Sequence, residues 1–593
     1  MVNYTINIGT SDFKELITSD ALFVDKTSLI QTVLTSGYKV TLITRPRRWG
    51  KTLNMTMLQY FFSIPVKEDG SIDVKEKSMR YKLFSQMKIG KYQDIIEKYL
   101  GRIPTIFISF KGIKGNNYKA LELGIGDLIY RLYATHEYLM KSKKLSERQK
   151  ALFEKFIKKE FDHSELQNSI LYLSEMLFTH FGQKVFVLID EYDTPLNDWY
   201  VLQLTQNTMS ASSFGNDYFH EALVLFKEIL SSTLKDNDYL EKGVVTGILR
   251  VAKASLFSGL NNLGEDSVLD ADYAGHFGFT EDEVIELLQE SKMNQNHEIE
   301  KNMKSWYNGY SIGGLTLYNP WSIMNCLNNK GALKAYWVGT ASTALIERAL
   351  VLDKFQEEMQ ILVEEGSIEI LADPKMVFED IQSSPNALYN LLLYSGYVTA
   401  EKVKQSLDGI TYICRVKIPN REVRGVFMTS VAHWVESKFK TDSREYRAFV
   451  GNLLSGDISK FSEKLKSYLK VSASYFDSGK HAELLYNGFM WGLFASSLNE
   501  DYFVEKERET GKGRADLLII PKETAPFKIA FILEYKIARK EENLKDVAKA
   551  ALDQIKIKDY SSKIKEYKHV DKIMLIGLGF SGKDVEISFN LET

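Results

Sequence analysis

One segment near the start of the chain restricts the fold more than any other. The apolar, β-rich run YKVTLIT, Tyr38–Thr44, leads directly into the loop RPRRWGKT, and the helix-like stretch LNMTMLQYFF follows. A buried strand, a glycine-containing loop and a helix in this order are typical of a parallel α/β sheet whose loop faces a phosphate group. The segment therefore predicts an α/β fold with a phosphate-binding loop.

The loop contains the residue types that phosphate binding requires. The Lys51 ammonium can reach β- and γ-phosphates, Thr52 can hold Mg²⁺, and Gly50 lets the backbone approach closely. The common pattern GxxxxGK[ST] has glycine where this chain has Arg45, so the match is partial. A chance GKT tripeptide is the alternative interpretation.

A second strand supports the functional interpretation of the loop. KVFVLIDEYDTP, Lys184–Pro195, is an apolar run that ends in two carboxylates. We expect Asp190 to hold Mg²⁺ through water and Glu191 to polarise the water that attacks the γ-phosphate. We further expect the loop and this acidic pair on adjacent strands. Helix capping by the two acids is the alternative.

A third strand, Gly243–Leu249, ends at Arg250. Thr246 and Arg250 are candidates for sensing the γ-phosphate. A core strand whose flanking arginine pairs with a carboxylate is an equally open interpretation.

Several short blocks follow one another along the first 340 residues. In chain order they are FVDKTSLI, RPRRWGKT, LIDEYDTPL, TGILRVAKASLFSGLNNL, FGFTEDEV, WYNGY and LYNPWSI. Together they resemble the AAA-ATPase-like family of bacteria, whose loop has arginine in place of the first glycine. This resemblance implies ATP and Mg²⁺ as ligands and adds Arg45, Arg47 and Arg48 to the nucleotide-binding set. The aromatic blocks are interpreted as packed turns of a helical lid subdomain.

The last 120 residues predict a second site. The helix-like stretch HAELLYNGFMWGLFASSL precedes strand-like YFVEKE, RADLLII and FKIAFILEYKI, then a helix and the strand KIMLIGLG, an αβββαβ order. Asp516 and Glu534 on neighbouring strands can hold Mg²⁺ with the carbonyl of Tyr535, and Lys536 projects to the same face as Glu534 to act on water. A solvated ion pair between Glu534 and Lys536 is the alternative.

These residues resemble the PD-(D/E)XK nuclease superfamily over residues 475 to 590. The resemblance implies that Asp516, Glu534 and Lys536 are the catalytic motif, with Glu483 on the first helix and Gln554 on the later helix, and that the metal is Mg²⁺ or Mn²⁺. Basic residues crowd this region and suit contacts to a phosphate backbone, although a solvated face is an equal alternative. They are Lys506, Arg508, Lys512, Arg514, Arg539, Lys540, Lys545, Lys549, Lys556 and Lys558.

Length and composition set the wider frame. The 593 residues exceed what one hydrophobic core usually spans. We expect a P-loop domain at 1–274, a helical lid at 275–340, a helical connector at 341–470 and a nuclease-like domain at 471–593. The net charge of −3 means that any nucleic-acid surface is local. Two cysteines exclude a disulfide framework and a thiolate zinc site, and the absence of a signal peptide or membrane-length apolar run predicts a cytoplasmic protein.

The favoured function is an ATPase that gates a metal-dependent nuclease acting on nucleic acid, with DNA as the expected form. A nucleotide-switched module that binds nucleic acid or protein through an inactive nuclease-like domain is the main alternative. An ATPase that remodels proteins is a third. Assembly into a homo-oligomer stays open, and no membrane partner is expected.

Overall fold

The computed structural model describes most of the chain. The described residues are 5–113, 117–196, 216–249, 263–293, 297–337, 346, 358–359, 361–363, 366–374, 385–439, 443–471, 501–505, 508–510, 513–539, 542–558, 561, 564–582 and 584–592. Internal contacts divide the chain into two compact units. The first comprises residues 1–345 and 367–423, and the second comprises residues 346–366 and 424–593.

A five-stranded parallel sheet forms the centre of the first unit. Its strands are β1 (Val40–Thr44), β2 (Thr105–Ser109), β3 (Val185–Asp190), β4 (Leu240–Gly247) and β5 (Leu263–Asp266), in the order β2-β3-β4-β1-β5. All residues of β1 and β3 are buried, as expected for a sheet covered on both faces. The α/β class is confirmed. The expectation of adjacent loop and acid strands is wrong, because β4 lies between β1 and β3.

Helices surround this sheet. They are α1 (Phe13–Thr18), α2 (Ser28–Thr35), α3 (Lys51–Phe62), α4 (Val74–Phe84), α5 (Gln93–Tyr99), α6 (Tyr118–Ala134), α7 (Glu147–Lys158), α8 (His163–Gln167), α9 (Ser169–Phe181) and α10 (Asn216–Leu234). Local sequence fixes several helix starts. Ser146 and Asp162 begin α7 and α8 with capping boxes, in which the cap side chain and the third helical residue satisfy each other's backbone amides.

The region predicted as a helical lid follows the sheet. It contains α11 (Glu281–Glu290), α12 (His297–Tyr307), the hairpin β6 (Tyr310–Ile312) with β7 (Leu315–Leu317), and α13 (Pro320–Asn328). Val284, Leu287, Met303 and Ile323 from its helices share one hydrophobic cluster. The apolar faces of these helices therefore pack on one another.

The middle of the chain contains a small sheet that the sequence analysis did not predict. Its strands β8 (Ile368–Ala372), β9 (Thr399–Gln405) and β10 (Tyr412–Lys417) pair antiparallel in the order β8-β10-β9, and α14 (Pro385–Ser395) packs against β8. Five of the seven residues of β9 are exposed, so the strand lacks the apolar alternation that marks a half-buried strand. The predicted helical character holds for α15 (Arg421–Phe439), α16 (Ser443–Leu454) and α17 (Ile458–Val471).

A mixed sheet forms the C-terminal core. Its strands are β11 (Tyr502–Glu505), β14 (Leu517–Pro521), β15 (Ile529–Ile537), β16 (Lys572–Ser581) and β17 (Asp584–Glu592), with the hairpin β12 (Arg508–Thr510) and β13 (Gly513–Ala515) beside it. The sheet order is β11-β14-β15-β16-β17, and only β15 and β16 pair in parallel. The helix α18 (Leu544–Ile557) connects these two strands and covers the sheet. The predicted first helix, which carries Glu483, lies outside the described residues.

Within the part of the chain that the structure describes, no helix combines the length and apolar character needed to cross a bilayer.

Candidate functional site

The loop after β1 positions the lysine and glycine of the first predicted site. Gly50, with φ of +78°, turns the chain into α3 in the left-handed region that glycine tolerates. Lys51 is 4% exposed, and its Nζ donates to the carbonyl oxygens of Arg45 at 2.9 Å and Pro46 at 2.8 Å. Burial lowers the pKa of Lys51, and the charge of Glu191 opposes this. An ammonium has three N–H donors, so one remains beyond these two carbonyls.

Hydroxyl groups from the start of α3, from β2 and from β4 converge on the Asp190 carboxylate. Thr52 donates to Oδ2 at 2.9 Å, Ser109 at the end of β2 donates to Oδ2 at 3.2 Å, and Thr246 of β4 donates to Oδ1 at 2.7 Å. Thr52, Asp190 and Thr246 were predicted for this site. Ser109 was not, although a hydroxyl at the end of the apolar run TIFIS was an available signal. Hard oxygen donors of this kind fit Mg²⁺.

Glu191 follows directly in a strained conformation. Its φ is +50°, in the left-handed region that non-glycine residues rarely adopt. Burial raises the pKa of its carboxyl, and the charge of Lys51 opposes the shift. The turn thus holds a carboxylate beside the loop lysine.

Hydrogen bonds connect the turn after β3 to the residues that follow β4. The buried Asp193 carboxylate accepts the amides of Ile248 and Leu249 through Oδ2, both at 2.9 Å. The Tyr192 hydroxyl donates to the carbonyl oxygen of Leu249 at 2.8 Å. A Cβ on Gly247 would stand 2.6 Å from the Tyr192 ring, so glycine is required for this approach. The predicted Arg250, one residue beyond, lies outside the described residues.

Arg45 has an internal role. Its side chain is 0% exposed, and Nη2 donates to Asp266 Oδ1 at 2.5 Å. Nη1 donates to the carbonyl oxygens of Thr44 at 2.8 Å and Ser267 at 2.9 Å, and the guanidinium lies over the Phe277 ring. Burial raises the pKa of Asp266 to about 6, and Arg45 opposes this. These donors are directed into the protein and not toward a ligand of the loop.

The other loop residues contact the lid. Arg48, with φ of +65°, donates from Nη1 to the carbonyl of Tyr336 at 3.0 Å, and its guanidinium carbon stands 4.0 Å from the Trp321 ring centroid. The indole N–H of Trp337 donates to the Arg47 carbonyl at 3.1 Å. The Arg47 side chain is half-buried, and its charge contributes to lowering the pKa of Lys51.

Residues of the aromatic blocks WYNGY and LYNPWSI pack around the phosphate-binding loop. Trp49 is buried in an edge-to-face contact with Tyr310 of WYNGY, 5.0 Å between centroids. Beneath Trp337, the buried Glu422 carboxylate accepts the Trp337 amide at 2.7 Å and the Ser322 hydroxyl at 2.6 Å. Burial raises the pKa of Glu422 to about 7. The aromatic blocks therefore stabilise the loop by packing against it.

The C-terminal residues form the second predicted site. Asp516 lies between β13 and β14, and its Oδ2 accepts the Tyr535 amide at 2.8 Å. Because β14 pairs with β15 only as far as Leu533, this carboxylate replaces the missing strand partner of that amide. Gln554 of α18 donates from Nε2 to Glu534 Oε1. The structure thus brings Asp516, Glu534 and Gln554 together, with the half-buried Lys536 two residues further along β15.

The burial and hydrogen bonding of Glu534 indicate whether this site fits a metal ion. It is 4% exposed, and its Oε2 has no hydrogen-bond partner within the described part of the chain. Burial and the charge of Asp516 raise its pKa to about 7, while Lys558 and, to a smaller extent, Lys536 oppose the shift. A buried carboxylate oxygen without a partner is costly, and two neighbouring carboxylates are ligands that Mg²⁺ and Mn²⁺ accept. The residues present therefore fit a divalent cation.

Comparison with known proteins gives a family match at each end of the chain. Residues 7–257 match the family described as Predicted AAA-ATPase, and residues 481–590 match the PD-(D/E)XK nuclease superfamily. The chain thus combines an AAA-ATPase-like region with a C-terminal PD-(D/E)XK nuclease superfamily domain. Both predicted resemblances are confirmed.

Two further similarities are more general. An uncharacterised protein from the vnfD 5′ region of Azotobacter chroococcum mcd 1 is 25% identical over 408 residues, which are 68% of this chain and 70% of that protein. A solved STAND ATPase with a tetratricopeptide repeat sensor from Pyrococcus horikoshii is 11% identical, with a TM-score of 0.23. The match covers 81% of this chain and 57% of that protein, and a TM-score this low does not define a shared fold.

Proposed function

We propose that this chain is an ATPase whose nucleotide state controls a metal-dependent nuclease, with DNA as the substrate. The observation that carries the proposal is that one chain holds two sets of functional side chains. Lys51, Thr52 and Asp190 converge in the first unit, and Asp516 and Glu534 converge in the second. The matches to an ATPase-like family and a nuclease superfamily support the same pairing.

In the first unit, Lys51 and the backbone amides at the start of α3 bind the β- and γ-phosphates of ATP. Thr52 and Asp190 hold Mg²⁺, which neutralises charge on the phosphates when bound. Glu191 takes a hydrogen bond from the attacking water and so orients it. Thr246 positions Asp190, while Arg45 and Arg48 support the loop from inside the protein and from the lid.

In the second unit, Asp516 and Glu534 hold Mg²⁺ or Mn²⁺. The cation, when bound, stabilises the charge that develops on the phosphate oxygens. Gln554 fixes the orientation of the Glu534 carboxylate, and Lys536 orients and acidifies the attacking water. Basic side chains on the same domain contact the phosphate backbone.

The test is a cleavage assay with purified full-length protein on plasmid, linear duplex and single-stranded DNA and on RNA, with and without Mg²⁺ and ATP. Parent protein should cut DNA only with divalent metal, and the rate should change with ATP. Asp516→Ala and Glu534→Ala should lose metal binding and cleavage, whereas Lys536→Ala should lose cleavage and keep most metal affinity. If all three variants cut as fast as the parent, the nuclease assignment is wrong.

The same preparation tests the ATPase assignment. Lys51→Ala should abolish ATP binding by calorimetry, and Glu191→Gln should bind ATP without hydrolysing it. Unchanged affinity in Lys51→Ala would contradict the loop assignment. DNA binding without cleavage would favour the nucleotide-switched binding module, and ATP hydrolysis stimulated by unfolded protein would favour the remodelling ATPase.

A further inference from the structure

Lys558 lies one helical turn beyond the glutamine of the nuclease site. It caps α18 with helical backbone angles, and its amide donates to the carbonyl of Gln554 at 3.1 Å. Side chains four residues apart lie on the same face of a helix. Since the Gln554 amide contacts Glu534, the Lys558 side chain projects from the face that carries this contact.

The helix α18 packs closely against β16, so its position relative to the sheet is fixed. A Cβ added to Gly577 of β16 would stand 2.3 Å from the carbonyl oxygen of Ala548 and 2.3 Å from the amide of Leu552. The helix backbone therefore lies directly against the strand next to β15. Lys558 follows the last residue of this helix, one turn beyond the residue that contacts Glu534.

The charges of the site agree with this placement. The charge of the Lys558 ammonium acts on the Glu534 carboxylate. Lys558 is half-buried on the site face, whereas Lys556 is exposed two residues earlier on a different face. A divalent cation on Asp516 and Glu534 would neutralise these carboxylates, so a neighbouring ammonium then favours an anion supplied by the substrate.

We infer that Lys558 is a phosphate-binding residue of the nuclease site, which contacts a backbone phosphate next to the bond that is cut. This inference rests on the proposed nuclease function. Lys558 thereby has a different task from Lys536, which acts on water. From the sequence alone, Lys558 belongs only to a general basic surface, because its proximity to Glu534 depends on how α18 packs on the sheet.

The experiment compares full-length Lys558→Ala with the control Lys572→Ala, at an exposed lysine that begins β16 and is in register with Ile529, away from Glu534. Cleavage of a labelled DNA duplex is measured against substrate concentration at several salt concentrations, and Mn²⁺ binding is measured by calorimetry. Lys558→Ala should raise KM about tenfold and reduce the slope of log affinity against log salt by about one, with Mn²⁺ affinity within about twofold of the parent. Lys572→Ala should stay within about twofold in all measurements.

Two results would overturn the inference. One is equal behaviour of the two lysine variants. The other is a loss of Mn²⁺ affinity in Lys558→Ala large enough to explain the cleavage defect, which would make Lys558 a counterion of the carboxylates. A parent that cleaves nothing contradicts the proposed function, and duplex binding then decides. Weaker binding by Lys558→Ala than by Lys572→Ala supports the inference, and equal binding or no binding by the parent contradicts it.

Discussion

Asp190 and Glu534 are both buried carboxylates near the ends of apolar strands, yet their surroundings differ. Asp190 is 0% exposed and accepts hydrogen bonds from three hydroxyl groups. Glu534 accepts one amide from Gln554, and its second oxygen has no partner in the described residues. The first site thus supplies its carboxylate with three hydroxyl donors, whereas Glu534 in the second site accepts a single amide within the described residues.

The difference indicates how each site depends on its ligand. Hydrogen bonds stabilise a buried carboxylate without any ion, so the protein's own donors fix the orientation of Asp190. Burial and the charge of Asp516 raise the pKa of Glu534 to about 7. A cation bound to Glu534 would favour its charged form near neutral pH.

The largest expected effect is a loss of stability on removing Arg45, the buried ion-pair partner of Asp266 next to the first site. Arg45→Met should destabilise the first unit by about 3–5 kcal/mol, because it leaves the buried Asp266 carboxylate without its guanidinium partner. Urea denaturation measures the free energy of unfolding. Arg131→Met, at an exposed arginine of α6, is the control and should change stability by less than about 0.5 kcal/mol. Equal stability of the two variants would contradict a structural role for Arg45.

The next effect concerns the unpartnered oxygen of the second site. Glu534→Gln should weaken Mn²⁺ binding about 100-fold, or about 2.7 kcal/mol, because the amide lacks the charge that the cation needs. Calorimetry without nucleotide measures the affinity. Glu523→Gln, at an exposed position of the same domain, is the control. Retained Mn²⁺ affinity in Glu534→Gln would remove Glu534 from the metal site.

Glu422 gives a pH-dependent test in the first unit. Its pKa is raised from 4.5 to about 7 by burial, so the folded state holds this proton more tightly than the unfolded state. Its contribution to stability should therefore fall as pH rises from about 4.5 to about 7, by on the order of 3 kcal/mol, and then stay constant. Glu422→Gln should flatten this dependence in melting experiments between pH 5 and 8. An unchanged pH profile in the variant would show that another group is responsible.

The smallest effect tests the hydroxyl network around Asp190. Thr246→Val removes one of three donors and should cost about 1 kcal/mol of stability, since the other two remain. Thr233→Val is the control, because the buried Thr233 hydroxyl donates only to the carbonyl of Ile229 within its own helix. A smaller cost for Thr246→Val than for Thr233→Val would mean that Asp190 does not depend on Thr246.

The sequence predicted those parts of the molecule whose signal is local. The β1, loop and α3 series and the apolar run before Asp190 are continuous segments, and the αβββαβ pattern placed β14, β15, α18 and β16 correctly. The small middle sheet and β17 were missed. The residues of β17 are mostly half-exposed or exposed, so the strand lacks a continuous apolar signal.

The sequence by itself determined the residue types of both sites, because a lysine after glycine or a carboxylate at a strand end follows from neighbours in the chain. Tertiary structure alone decided that β2 and β4 flank β3, which brings Ser109 and Thr246 to Asp190. It also decided that Arg45 pairs with Asp266 at the end of the neighbouring strand β5 and is not directed to a ligand of the loop. Such pairings depend on which distant segments become neighbours, and strand order and burial are properties of the whole packed sheet that no single segment encodes.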